Sequence, residues 1–310
     1  MAGRLTLLCP GQGAQHAAMF DMARTDPAAA ALLDTLVARA GFAESLDAIL
    51  GDAALLFANR YAQPLVVAAT LANWTALAHD LPEPALVAGY SIGEVAAYAV
   101  AGALPPADAV TLARARAELM DACLHASPGQ ALLAVSGLPV ATLEAQLRRH
   151  DFHLAIVTGE DSLIAGGRAE AAASLENALL AAGARASRLP VEVASHTPFM
   201  AGAVAPLAAA LEGRSLRDPQ VPVLSGISAE RISHKSKAIE HLSRQVAETI
   251  LWRDCMDALV EAGITVALEL GPGAGLSRML QARHPQIATR SVADFRSLDG
   301  VKAWLGRHVD

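Results

Sequence analysis

A serine framed by glycines two residues away on either side, Gly89-Tyr90-Ser91-Ile92-Gly93, is the pattern in this sequence best suited to nucleophilic chemistry. Glycines at those positions let the chain turn sharply between a strand and a helix, projecting the serine oxygen at the helix N-terminus. There the backbone N–H of Ile92 can face a developing oxyanion, aided by the helix dipole. The bland reading of the same residues is a tight turn whose serine caps the helix. Context favours chemistry: an apolar run (85–89) precedes the serine and an alanine-rich amphipathic stretch follows it.

A serine nucleophile needs a base. Most of the histidines stand in polar surroundings and read as surface or loop residues: His16, His125, His150, His153, His234, His241, His284 and His308. His196 differs. It lies in VEVASHTPFM, just past an expected strand, with Pro198 fixing the turn behind it. A lone loop histidine is ordinarily structural, so His196 is singled out by Ser91 having no better base. Arg116 is the third candidate. At helical spacing it shares a face with Leu112, Leu119, Met120 and Cys123, all apolar, whereas Arg114 sits with Glu118 and Asp121. Arg116 therefore enters the interior without a local acid, and a buried guanidinium without a partner is costly. A substrate carboxylate would fit it bidentately.

These residues need elements to hold them. RLTLLCPGQGAQ (4–15) reads as a buried strand over Leu5 to Cys9 that ends in a Gly-rich turn. A helix is predicted over 63–80, with Pro64 in its first turn, then strand, sharp turn and helix over 85–104, and a helix over 105–127. Residues 130–194 follow a βαββαβ order, a ferredoxin-like unit. Helices are expected again at 197–212, 239–250 and 253–262, with strands near 221–226 and 265–270 and a strand-to-helix turn at 271–280. The pattern predicts an α/β fold. Its hydrolase-like core, a parallel sheet flanked by helices, spans 1–129 and 197–310, and the small ferredoxin-like subdomain spans 130–196.

Composition sets outer limits. With 53% hydrophobic and 18% charged residues over 310 positions, a large core is easily built. A net charge of −7 and no Lys/Arg run argue against a nucleic-acid or membrane surface. Cys9, Cys123 and Cys255 lie far apart with no metal-ligand spacing, so no metal is expected. The apolar run near the start is short for a signal peptide, and a cytoplasmic location is expected.

At this point the residues carry a resemblance. PGQGAQ (10–15), GYSIGE (89–94), RAELM (116–120), ASHTPFM (194–200) and ELGPGAGLSRML (269–280) resemble the malonyl-CoA:acyl-carrier-protein transacylases and related acyltransferase domains, in that family's order and spacing. The resemblance implies that Ser91 takes the acyl group from coenzyme A as an ester and that His196 is general base, then acid. It also implies that the backbone N–H groups of Gln12 and Ile92 form the oxyanion hole, and that Arg116 holds the free carboxylate of malonyl. It implies a main-chain carbonyl orienting His196, placed by TILWRDC (249–255) at Ile250 or Leu251. No bound cofactor is implied; malonyl-CoA is the substrate and an acyl carrier protein the partner.

One departure concerns Tyr90, where many relatives carry histidine. It is expected to line the acyl pocket and at most assist Arg116. Tyr90, the LLCPGQGAQHAAMFDMA text and the alanine-rich chain look most like the epsilon subunit of malonate decarboxylase, which loads that complex's own carrier subunit. The alternatives are the fatty-acid-synthesis transacylase and, from another class, a serine hydrolase or thioesterase.

Overall fold

A computed structural model of the chain describes residues 3–309. The first strand, β1 (Leu5–Cys9), is buried at every position, as a strand covered on both faces requires. Four helices follow: α1 (Pro27–Ala40), α2 (Leu46–Gly51), α3 (Ala53–Phe57) and α4 (Asn59–Leu77). The sequence reading assigns no helix before residue 63. Local chemistry nonetheless builds α1, where Asp26 accepts from Ala29 N–H, Pro27 takes the first turn and Gly41 closes the helix at φ 61°. α4 begins four residues earlier than expected, so Pro64 lies inside it. Near-complete burial of this helix compensates for the backbone hydrogen bond that proline, lacking an N–H, forfeits.

The next elements fall where the sequence places them: β2 (Leu86–Gly89), α5 (Gly93–Val100) and α6 (Pro106–Ala126). Then come β3 (Gln130–Ser136), α7 (Val140–Arg149), β4 (Phe152–Val157), β5 (Ser162–Arg168), α8 (Ala169–Ala181) and β6 (Arg185–Arg188). These four strands pair antiparallel in the order β6-β3-β5-β4 around their own small apolar core, which includes Leu133, Phe152 and Leu175.

The remainder runs α9 (Ala201–Glu212), β7 (Val223–Leu224), β8 (Arg231–Ile232), α10 (Lys235–Arg244), β9 (Ile250–Leu251), α11 (Trp252–Glu261), β10 (Val266–Glu269), α12 (Gly275–Arg283), β11 (Ala288–Ser291) and α13 (Leu298–Val309). The large sheet has the order β11-β10-β1-β2-β7-β8, parallel throughout except for β8. The helix expected over 239–250 is a correction. α10 stops at Arg244, and β9 leaves the core to become a fifth strand of the small sheet, with Ile250 beside Ile156. Helical continuation fails because the carbonyls of Gln245 and Val246 turn to His196 instead.

Register explains where a site can form. Cys9 lies beside Gly89 and Leu8 beside Glu269, so β1, β2 and β10 end together. Their turns, 10–13, 90–92 and 271–273, open at the carboxyl ends of parallel strands, where α/β sheets leave room for ligands. No helix among the described residues is long and apolar enough to cross a membrane.

Candidate active site

The elbow is built by close packing. A Cβ on Gly89 would stand 2.3 Å from the Glu94 backbone, and one on Gly93 would stand 2.1 Å from the Cys9 carbonyl oxygen. Only hydrogen fits at either place. Between them Ser91 is held at φ 55°, in the left-handed region that side chains with a Cβ avoid. His196 is held in the same region, at φ 62°. Such strain persists where the surrounding structure fixes it, and it clusters at functional sites.

The structure brings these two residues together. Ser91 Oγ lies 2.8 Å from His196 Nε2, across 105 residues of sequence. On the far side of the ring, Nδ1 lies 2.6 Å from the carbonyl oxygen of Gln245. A carbonyl only accepts, so the ring proton sits on Nδ1 and Nε2 is free to receive the serine proton. Burial, followed by the charge of Arg116, lowers the His196 pKa to about 3, so the ring is neutral at physiological pH. The carbonyl that orients His196 therefore belongs to Gln245, and the assignment to Ile250 or Leu251 is corrected. Those residues form β9, where Leu251 N–H donates to the Gly226 carbonyl and the strand pairs with β4.

Arg116 is 1% exposed and projects from α6 toward the pair. Its Nη1 donates to Gln63 Oε1 at 2.8 Å, and its Nη2 donates to Gln245 Oε1 at 3.2 Å and reaches Ser91 Oγ at 3.4 Å. Its Nε has no acceptor. Burial lowers its pKa to about 10, which still leaves it charged at neutral pH. Arg114, by contrast, faces outward, bonding Glu118 at 2.8 Å and the carbonyls of Ala40 and Gly41.

Ile92 follows the serine in the elbow, and Gln12 belongs to the 10–13 turn. Cys9 accepts from the Tyr90 N–H, and a Cβ on Gly11 would meet the Tyr90 carbonyl at 2.9 Å, so the 10–13 turn lies against the elbow. Tyr90 sends its ring edge-on to Trp252, 5.3 Å between centroids, and packs with the apolar cluster containing Leu8 and Met256. No hydrogen bond joins it to Arg116 among the described residues.

Three side chains escape the sequence reading: Gln63 on α4, Glu94 on α5 and Gln245 after α10. All are buried; Gln63 and Glu94 are polar residues beside apolar runs, the signal that could have found them, whereas Gln245 stands among Ser243, Arg244 and Glu248 and carries no such signal. His241 is also reassigned. It is buried on α10, bonded through Nδ1 to Ser225 Oγ at 2.9 Å, and is not a surface residue. A cavity of about 800 Å³ between the 16–26 turn and the start of α13 touches neither Ser91 nor His196. Among the described residues, no group of three His, Cys, Asp or Glu side chains is placed to hold a metal ion.

Comparison with known proteins matches the chain to one family. The acyl transferase domain family matches residues 6–297. The chain is 32% identical over 306 residues to the malonyl CoA-acyl carrier protein transacylase of Mycobacterium tuberculosis, covering 95% of this chain and 98% of that one. It is similar to the solved malonyl CoA-acyl carrier protein transacylase from Coxiella burnetii, with TM-score 0.93 and 25% identity, covering 100% of this chain and 99% of that one. It is also similar to a malonyl-transacylase solved in complex with its type II PKS acyl-carrier protein, with TM-score 0.90 and 26% identity, covering 97% and 99% of the two chains. The protein belongs to the acyl transferase domain family and is an acyltransferase.

Proposed function

We propose that the protein carries a malonyl group from malonyl-CoA to the phosphopantetheine-type thiol of an acyl carrier protein, through a malonyl ester on Ser91. The observation that carries this reading is Arg116: a buried guanidinium 3.4 Å from the serine oxygen, with amide oxygens for partners and no carboxylate in contact. An acyl group ending in a carboxylate supplies the missing charge.

In the first half-reaction His196 Nε2 takes the Ser91 Oγ proton as Oγ attacks the thioester carbonyl. The oxyanion is held by the N–H groups of Gln12 and Ile92, the latter at the start of α5. The C–S bond breaks, and the coenzyme A thiolate leaves with the proton from Nε2. In the second, the carrier thiol gives its proton to Nε2 and attacks the ester, and Oγ recovers that proton on leaving. Arg116 couples recognition to this chemistry. Its charge disfavours the protonated imidazole, so a bound carboxylate that neutralises it makes His196 a stronger base. Malonyl is then favoured in the chemical step as well as in binding.

The carrier is of the acyl-carrier-protein type named in the relatives above. The decarboxylase carrier expected from Tyr90 and the alanine-rich text finds no support in those relatives. We read the core as hydrolase-like and the inserted unit as ferredoxin-like from their strand orders, and the free cysteines fit a reducing cytoplasm. Offering malonyl-loaded enzyme to a fatty-acid-type holo-carrier and to a malonate decarboxylase carrier tests the assignment. Transfer to the first is expected. Transfer to the second alone would restore the decarboxylase role, and release as free malonate would make the protein a hydrolase.

A further inference from the structure

Glu94 is fully buried at the start of α5, directly after the elbow, and the chemistry described so far leaves it without a part. Its Oε2 accepts from Gln245 Nε2 at 2.6 Å and from Gly226 N–H at 3.0 Å, while Oε1 has no partner. Gln245 is the junction of the site. Its Nε2 also donates to the Ser91 carbonyl, its Oε1 accepts from Arg116 Nη2, and its own main-chain carbonyl accepts from His196 Nδ1. A carboxamide can turn by half a rotation and exchange donor for acceptor. Glu94 forbids that: an acceptor at 2.6 Å fixes the NH₂ end inward and so leaves the oxygen for Arg116.

We propose that Glu94 is a positioning residue that locks Gln245, through which it sets both the Arg116 guanidinium that selects the acyl group and the carbonyl that orients His196. This rests on the acyl-transfer reading above. It makes the glutamate of the GYSIGE stretch a determinant of acyl selectivity, acting through Gln245 without touching substrate. The charged or titratable groups around it are Arg116 on α6, Tyr98 on its own helix and Cys255 on α11, and the last two are held neutral by burial. Reach, rather than charge alone, is then the property that matters.

Two substitutions separate reach from charge. Glu94→Gln keeps an acceptor oxygen at the same length without an ionisable group, whereas Glu94→Asp keeps a carboxyl one methylene short of Gln245. Active sites are counted by the stoichiometry of malonyl adduct, and kcat and KM are measured for malonyl-CoA and acetyl-CoA per active site. Glu94→Gln is expected to stay within about threefold of the wild type, and Glu94→Asp to lower the malonyl-to-acetyl preference by about tenfold, the scale of losing one hydrogen bond to a charged group. A purely structural role would reduce the active fraction and leave the preference per active site unchanged. That outcome, or Glu94→Gln failing as badly as Glu94→Asp, overturns the inference. If wild-type enzyme forms no adduct, the acyl-transfer reading itself fails. Should Glu94→Asp not fold, Gln245→Glu is measured in its place. It puts an acceptor where Glu94 needs a donor, and it should shift the same preference; an unchanged preference there also overturns the inference.

Discussion

Ser91 and His196 both stand at positive φ, and each non-glycine residue held there costs on the order of 1–3 kcal/mol. The chain accepts that strain at the two residues that meet at 2.8 Å. His196→Ala should slow acylation and transfer alike by roughly 10²–10⁴-fold, the usual contribution of a general base, in single-turnover assays of each half-reaction. Normal rates in both would mean another base is at work. The pH dependence carries a sign. Because burial and Arg116 hold the His196 pKa down at about 3 from its usual 6.5, acylation by acetyl-CoA should show no acid limb near 6.5. With malonyl-CoA, whose carboxylate offsets Arg116, the limb should move upward. Arg116→Ala should erase that difference and let acetyl-CoA compete better. Tyr90 is a different case. Its ring packs on Trp252 and its hydroxyl makes no bond to Arg116, so Tyr90→Phe should cost less than about 1 kcal/mol and leave the malonyl-to-acetyl preference unchanged.

At the scale of elements, the elbow depends on contacts that only glycine allows. Gly93→Ala would bring a Cβ to 2.1 Å from the Cys9 carbonyl, so β1 or α5 must shift. Acyl-ester formation should drop at least as far as in His196→Ala while the far-ultraviolet circular dichroism stays native; full activity would mean the two elements are looser than their packing indicates. This junction was legible in the sequence because glycine spacing, an apolar strand and an amphipathic helix all point one way. So was the βαββαβ order, where each element carries its own periodicity. The carbonyl on His196 was not legible. Residues 239–250 have an apolar pattern that suits a helix, and only the tertiary demand of His196 for the Gln245 and Val246 carbonyls ends α10 early. Strand β9, two residues long, has too little sequence for any period to register. The partner of Gln63 and Gln245 was hidden for a related reason: both amides meet Arg116, which is distant in sequence from each and reaches them only once the helices pack.

For the whole molecule, a buried glutamate makes stability depend on pH. Burial raises the pKa of Glu269 to about 7, and Glu269 caps α12 by accepting from Ser277 N–H at 2.8 Å. A carboxyl whose folded pKa lies above its unfolded value favours folding at low pH and loses that contribution as pH rises through the folded value. Glu269→Gln keeps the acceptor and removes the ionisation, so it should raise the unfolding midpoint more at pH 8 than at pH 5. Equal shifts at both would mean Glu269 ionises as freely folded as unfolded. Acyl transfer by this chain requires a covalent intermediate at Ser91, and intact-protein mass spectrometry after brief incubation with malonyl-CoA reads it directly. Wild-type protein should gain one malonyl group, mapped to the peptide containing Ser91, and lose it when holo-carrier is added, while Ser91→Ala, folded normally, gains none. A malonyl adduct on Ser91→Ala, or turnover with no adduct on the wild type, would contradict it.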